Sequence, residues 1–236
     1  MKNLKNWDNK TWLSSNKYIN SIIKFLKKNL KFSKKTNILD IGCGRGHIIS
    51  ALNNKYHFKQ KPIGIDIVKN KGIKNKLIFK KIDAIKYLKK TEKNFDLILI
   101  KQTVHFFSKK KIKKLLELAK KRLSKHGKII ILALDPNKNE IPCFSLMKKY
   151  LLKNLEKDKK LLKEINKVLK NCLKRKFILK ISIKKRQYVQ MLKNNYISCL
   201  LNMPKHKLLY GIKEIEKTYG QTIVFNDKLI CFIYKN

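Results

Sequence analysis

Residues 38–48 read ILDIGCGRGHI. Three of the chain's eight glycines fall here, Gly42, Gly44 and Gly46. Asp40 stands two residues before the first of them, in a chain with only 15 acidic residues among 236. An apolar strand that runs into glycines and then a helix makes a binding site. Glycine lets backbone approach a ligand closely, and the helix N-terminus offers free N–H groups. The spacing is G-x-G-x-G. The dinucleotide fingerprint G-x-G-x-x-G would need a third glycine at the position held by His47. A carboxylate at Asp40 would sit badly beside a pyrophosphate and well beside an ammonium group.

The pattern around this turn is strand alternating with helix. Before it, residues 14–31 place Tyr18, Ile22, Phe25, Leu26 and Leu30 at helical spacing, with Ser14 or Ser15 as the cap. Strands are predicted at 37–41, 62–68, 76–83, 95–101 and 128–134. Helices are predicted from the glycine turn to about Leu52, from Ala84 to Lys89 and from Lys109 to Leu123, the last ended by His126-Gly127. The fourth strand, FDLILIK, is apolar on both faces, as central parallel strands are. This order predicts an α/β fold with a doubly wound parallel sheet and right-handed crossovers. Beyond residue 140 a long helix is expected from Ser145 to Leu173, then a strand at 177–183 and helices near 184–193 and 204–219. Two closing strands, 221–225 and 228–235, are expected to be separated by a turn at Asn226-Asp227.

Composition narrows the classes. No apolar signal-peptide region opens the chain, and its longest wholly apolar run, Ile129–Leu134, is too short to cross a bilayer. The expectation is a cytoplasmic protein without a membrane segment. The five cysteines are scattered without a CxxC pair, which predicts free thiols and no metal site. The net charge of +44 has two readings. One is a selected surface for a polyanion such as RNA. The other is a solvated surface of AT-rich coding, since lysine, asparagine and isoleucine abound while only four arginines occur. Arginine is the residue suited to bidentate phosphate contacts.

DIGCGRG resembles the first motif of class I S-adenosylmethionine-dependent methyltransferases, and the likeness continues in order along the chain. IGIDIV ends a strand with Asp66 and Ile67, where the family hydrogen-bonds the ribose. KKIDAIKY presents Asp83 and Ala84 where the family grips adenine. FDLILIKQTVHFF resembles the fourth-strand motif, whose loop faces the methyl group. LLELAKKRLSKHGKIIIL resembles the segment usually ending L-x-x-G-G, with His126 replacing the first glycine. The resemblance implies a Rossmann-like, seven-stranded, mostly parallel sheet with an antiparallel C-terminal strand and a helical cover. It implies S-adenosyl-L-methionine as cofactor, held by Asp40, Gly42, Cys43, Gly44, Gly46, Asp66, Ile67, Asp83, Ala84, Lys101 and Gln102. On this reading residues 1–236 form one methyltransferase domain. Residues 1–35 are an N-terminal lid or helix, 36–140 the cofactor-binding core, 141–220 a helical acceptor lobe with the sixth strand, and 221–236 the terminal strands.

Methyl transfer is an in-line displacement on an already activated carbon, so positioning and water exclusion are the main demands. His105, just past the fourth strand, is the candidate catalytic base; the alternative is a packing role. Trp7, Trp12 and Tyr18 are read as a lid or an aromatic cage, or as plain packing of an N-terminal helix. Arg186, Tyr188 and Tyr196 are further substrate-side candidates. The order of elements resembles the small-molecule, trans-aconitate methyltransferase-like branch, with an acidic molecule among the acceptors it admits. A tRNA or RNA methyltransferase is the alternative. Against it, KQTV stands after the fourth strand where base-nitrogen methylating enzymes often carry Asn/Asp-Pro-Pro-aromatic.

Overall fold

The computed structural model describes residues 11–236. Seven strands form one sheet: β1 (Ile38–Ile41), β2 (Ile63–Asp66), β3 (Ile78–Lys81), β4 (Phe95–Lys101), β5 (Leu123–Leu134), β6 (Leu173–Lys184) and β7 (Thr222–Lys235). Their order is β3-β2-β1-β4-β5-β7-β6. The pairs from β3 to β5 are parallel, and β7 runs antiparallel between β5 and β6. The sheet reverses its winding at β1 and β4. Ligands bind outside the carboxyl ends of strands at such a switch point.

The helices are α1 (Asn16–Asn29), α2 (His47–Tyr56), α3 (Ala84–Lys90), α4 (Lys109–Lys121), α5 (Ser145–Val168), α6 (Lys185–Lys193) and α7 (Lys205–Thr218). Alternation along the strands sorts them into two layers. Leu97 and Leu99 of β4 face one core with residues of α1, α2, α6 and α7. Ile98 and Ile100 face the other, with residues of α3 and α4. Helix α5 serves both, with Met147, Leu151 and Leu155 in the first core and Leu161, Leu162 and Ile165 in the second. At 24 residues it is about 36 Å long, enough to pass across the end of the sheet.

Local chemistry explains the ends. The Ser15 side chain accepts from Tyr18 N, Asp83 from Lys86 N and Ser108 from Lys111 N, each supplying an N-cap. His126 has φ +69°, the left-handed backbone that a glycine in its place would adopt freely. It does not end α4, which stops at Lys121. It lies instead in an irregularity of β5, where pairing with β4 jumps from Leu123 to Lys128.

Three expectations about element ends require correction. Helix α5 stops at Val168, not Leu173, and β6 starts at Leu173. No turn interrupts 221–235, since β7 is one strand through Asn226 and Asp227. Continuous pairing with β6, from Thr222–Lys184 to Ile233–Leu173, holds those two residues extended. Strand β6 is an edge whose five lysines and arginines discourage pairing with another chain. Among the described residues no helix is long and apolar enough to cross a membrane.

Candidate active site

The glycine turn is built by its own backbone. Gly42, Gly44 and Gly46 have φ of +72°, +57° and +71°. Gly42 N and Cys43 N donate to Ile65 O at 2.8 and 3.1 Å, and Gly46 N donates to Cys43 O at 2.8 Å. These bonds tie the turn to β2 and deliver the chain into α2. A β-carbon at Gly42 would collide with the Thr103 side chain in the loop after β4. Gly42→Ala should therefore lower stability by at least ~1–2 kcal/mol from backbone strain alone. Thr103 Oγ1 and Cγ2 are two of the obstructing atoms, so adding Thr103→Ala should recover part of the loss in a urea titration.

Asp66, at the end of β2, reaches back across the turn. Its carboxylate accepts from Gly44 N and from Val68 N, both at 3.0 Å. Each oxygen keeps lone pairs for a ligand. A cleft opens beside it. Gly42, Gly44, Asp66, Ile67, Asp83, Ala84, Lys101 and Gln102 line this cleft, with Ile82, Thr103, Phe106 and Phe107. Asp83 also caps α3, so part of its reason for being there is structural. Among the predicted cofactor residues, Asp40, Cys43 and Gly46 do not line it. Asp40 lies beneath, only 4% exposed. Burial raises its pKa to about 7; the nearby Lys101 ammonium opposes the rise and Asp66 adds to it. The Cys43 thiol is pushed far up, chiefly by burial and further by Asp40 and Asp66, so it is no nucleophile at neutral pH.

The loop after β4 separates this cleft from a second one. Gln102 and Phe106 line both. Gln102 holds a left-handed φ of +51°, unusual for a residue other than glycine. Lys101 Nζ donates to Gln102 Oε1 at 2.8 Å and lies 5.0 Å from the centre of the Tyr18 ring. The second is a mostly apolar cavity. His105, Trp12 and Tyr196 line it, together with Leu151, Leu155 and Asp158 of α5, the segment Asn195–Ser198, and Asp227 of β7. Burial lowers the His105 pKa to about 4, so its imidazole is neutral at pH 7.

The remaining substrate-side candidates divide. Trp7 lies outside the described residues. Trp12 and Tyr18 are core residues at 6% and 0% exposure. Tyr188 does not line the cavity; its hydroxyl donates to Pro142 O and is 2.9 Å from the Tyr196 hydroxyl, which supports the cavity wall from behind. Arg186 is exposed on α6 and lines neither cleft, because its helix turns only Tyr188, Val189, Met191 and Leu192 inward. Sequence reasoning missed Asp158, Asn195 and Asp227. Two of these were legible. Asp158 continues the stripe Leu151, Leu155, Leu162 at spacings of three and four, and Asp227 continues the alternation Ile223, Phe225, Leu229, Cys231. Among the described residues no group of three His, Cys, Asp or Glu side chains could hold a metal ion.

A family model described as a methyltransferase domain matches residues 32–196. The chain belongs to that methyltransferase family. The protein is thus a methyltransferase. No curated protein matches it. Its fold is similar to that of a SAM-dependent methyltransferase from Archaeoglobus fulgidus, with 19% identity, TM-score 0.54 and 94% of this chain aligned to 95% of that one. The plantazolicin methyltransferase BpumL in complex with SAH gives 17% identity and TM-score 0.56, covering 100% of this chain and 89% of that one. A putative methyltransferase from Bacillus halodurans C-125 gives 14% identity and TM-score 0.56, covering 91% and 98%.

Proposed function

We propose that this methyltransferase transfers the methyl group of S-adenosylmethionine to a small molecule seated in the second cavity. The observation that carries this reading is the shared wall. Gln102 and Phe106 line both the cleft at the glycine turn and the cavity beyond it. A donor in one and an acceptor in the other would meet at that loop.

The residues present fit the cofactor. Gly42 and Gly44 bring bare backbone to the cleft wall, Asp66 offers acceptor lone pairs at the end of β2, and Ile67, Ile82 and Phe107 supply apolar walls. When bound, S-adenosylmethionine supplies a methyl group already activated by its sulfonium. Asp66 would accept from the ribose hydroxyls, and Asp83 with Ala84 would border the adenine. Asp40 lies under the turn, outside the cleft lining, so its charge would reach the cofactor's ammonium from behind the turn, with Lys101 and Gln102 closing that end. Gln102 and Phe106 would then hold the acceptor in line. His105 is unprotonated at neutral pH and can accept a hydrogen bond from the attacking group. Its low basicity makes it a residue that orients the acceptor more than one that strips its proton.

Asp66→Ala should weaken binding of S-adenosylhomocysteine by about 1–3 kcal/mol, read by calorimetry. Unchanged affinity would remove Asp66 from the cofactor site.

RNA is the competing acceptor class, suggested by the charge. A broad basic depression is lined by Lys27, Lys28, Lys31, Lys35, Lys125 and Lys128. It lies beside Thr36 and Asp96, at the amino ends of β1 and β4, whereas the two clefts open at the carboxyl ends. A strand bound there would lie on the far side of the sheet from the methyl group. The test is incubation with methyl-tritiated S-adenosylmethionine and an extract of the source cells, followed by separation into low-mass, RNA and protein fractions. Label in the low-mass pool is the expected result, and label in RNA alone would overturn the small-molecule reading.

A further inference from the structure

The acceptor cavity departs from the rest of the protein in its charge. Lysine and arginine make up 59 of 236 residues, yet among the described residues neither lines this cavity. Aspartate and glutamate together number 15, yet two aspartates do. Asp158 projects from the apolar stripe of α5, half-buried, and burial raises its pKa to about 6, so it is mostly ionised at pH 7. Asp227 projects from β7 and is 1% exposed. Neither of its oxygens has a hydrogen-bond partner of normal geometry.

Three groups face Asp227 from the surrounding elements. Burial raises its pKa, and Lys101 on β4, followed by the polar hydrogens of Trp12 and Tyr18 that point at its carboxylate in loose hydrogen bonds, lowers it. Trp12 Nε1 and Tyr18 Oη themselves lack a well-formed partner. The Lys101 ammonium is shared. It also opposes the raised pKa of Asp40 and donates to Gln102. One cation thus stands against two buried carboxylates, with Asp158 beyond it. The side-chain oxygen of Asn195, another cavity residue, is also buried without a partner. An acidic acceptor would meet carboxylates and unfilled acceptor oxygens here with no basic side chain in the lining. A buried acceptor atom left unfilled destabilises the fold, and a ligand bearing donors would satisfy it.

We propose that the acceptor is a compact, largely apolar molecule carrying a positively charged amino group, held by Asp227 and Asp158 with Asn195 as a further acceptor. The inference rests on the small-molecule methyltransferase reading and narrows it. Leu151, Leu155, Ile141 and Val104 supply the apolar walls, with Trp12 and Tyr196 beside them. The carboxylates also offset, at short range, the repulsion of a cation by a protein of charge +44. The amino group so held is the anchor. The atom that attacks the methyl group is the one presented toward Gln102 and Phe106.

The test uses three probes that share a phenethyl body: phenethylamine, phenethyl alcohol and hydrocinnamate. Each is titrated calorimetrically into the full chain saturated with S-adenosylhomocysteine at pH 7.5. The amine should bind at least roughly tenfold more tightly than the alcohol, and the carboxylate least of all. Asp158→Asn and Asp227→Asn should each erase most of the amine's advantage while leaving the alcohol's affinity near its original value. Asp158 is only half-buried, so that variant remains informative if Asp227→Asn folds poorly. Equal binding of the three probes, a preference for hydrocinnamate, or no binding of any would each overturn the proposal. The S-adenosylhomocysteine titration in the same samples reports separately on the cofactor cleft.

Discussion

Asp40→Asn should make the protein more stable by about 4 kcal/mol at pH 8, and by only about 1.5 kcal/mol at pH 5. The buried carboxyl of Asp40 has its pKa raised from 3.8 to about 7 in the folded chain. Below the unfolded value both states carry the proton. Between 3.8 and about 7 the folded protein keeps a proton that the unfolded chain has lost. Stability therefore falls as pH rises through that window, and the full penalty persists above it. A tenfold change in acidity corresponds to about 1.4 kcal/mol, which sets the size of the effect. Asparagine has the shape without the charge, so it removes the penalty, which is partial at pH 5, where only the unfolded chain is ionised, and full at pH 8. Urea titrations at the two pH values read the difference directly. A variant equally stabilised at both, or destabilised at pH 8, would mean that ionised Asp40 is well accommodated. The same substitution should weaken S-adenosylhomocysteine binding, because the ammonium group loses its carboxylate. A residue that lowers stability and raises affinity is a common compromise at binding sites.

Trp12→Ala should cost about 3–5 kcal/mol of stability. The ring is 6% exposed and packs against Tyr196 and Phe225 with ring centres 5.1 Å from each, and is stacked at 6.5 Å on Tyr188. Its removal leaves a void between α1, α6 and β7 that these aromatic neighbours cannot fill without leaving their own packing. Cofactor affinity should be unchanged, since Trp12 does not line the glycine-turn cleft. This result separates two roles weighed for the N-terminal aromatics. A lid that opens and closes contributes little to global stability, whereas a core residue contributes what its burial implies. A loss below about 1 kcal/mol would favour the lid.

Much of the fold is legible in the sequence. Strands β1, β2 and β4 and helices α1, α3 and α4 announce themselves by period, by caps and by glycine. These are local signals: Ser15, Asp83 and Ser108 cap helices within four residues of themselves. The positions of Asp40, Asp66 and the glycines are equally plain, because the turn that makes the cofactor cleft lies within one contiguous stretch and its strand partner. Asn226-Asp227 shows where local reading fails. The pair is a strong turn former by itself. Hydrogen bonds to β6 and antiparallel pairing of the following residues with β5 outweigh that preference and keep β7 straight.

That same override decides the acceptor cavity. Its walls come from Trp12, α5, the Asn195–Ser198 segment and β7, which lie far apart along the chain. No motif spans them, so the sequence by itself determined the fold class, the glycine turn and the cofactor-side carboxylates. Only the tertiary structure decided that Asp158 and Asp227 face one space with Trp12 and Tyr196, that Arg186 does not, and that Lys101 is shared between Asp40 and Asp227. The physical reason is range. A turn or a cap is written in neighbouring residues, whereas the charge of a cavity is the sum of side chains brought together by packing.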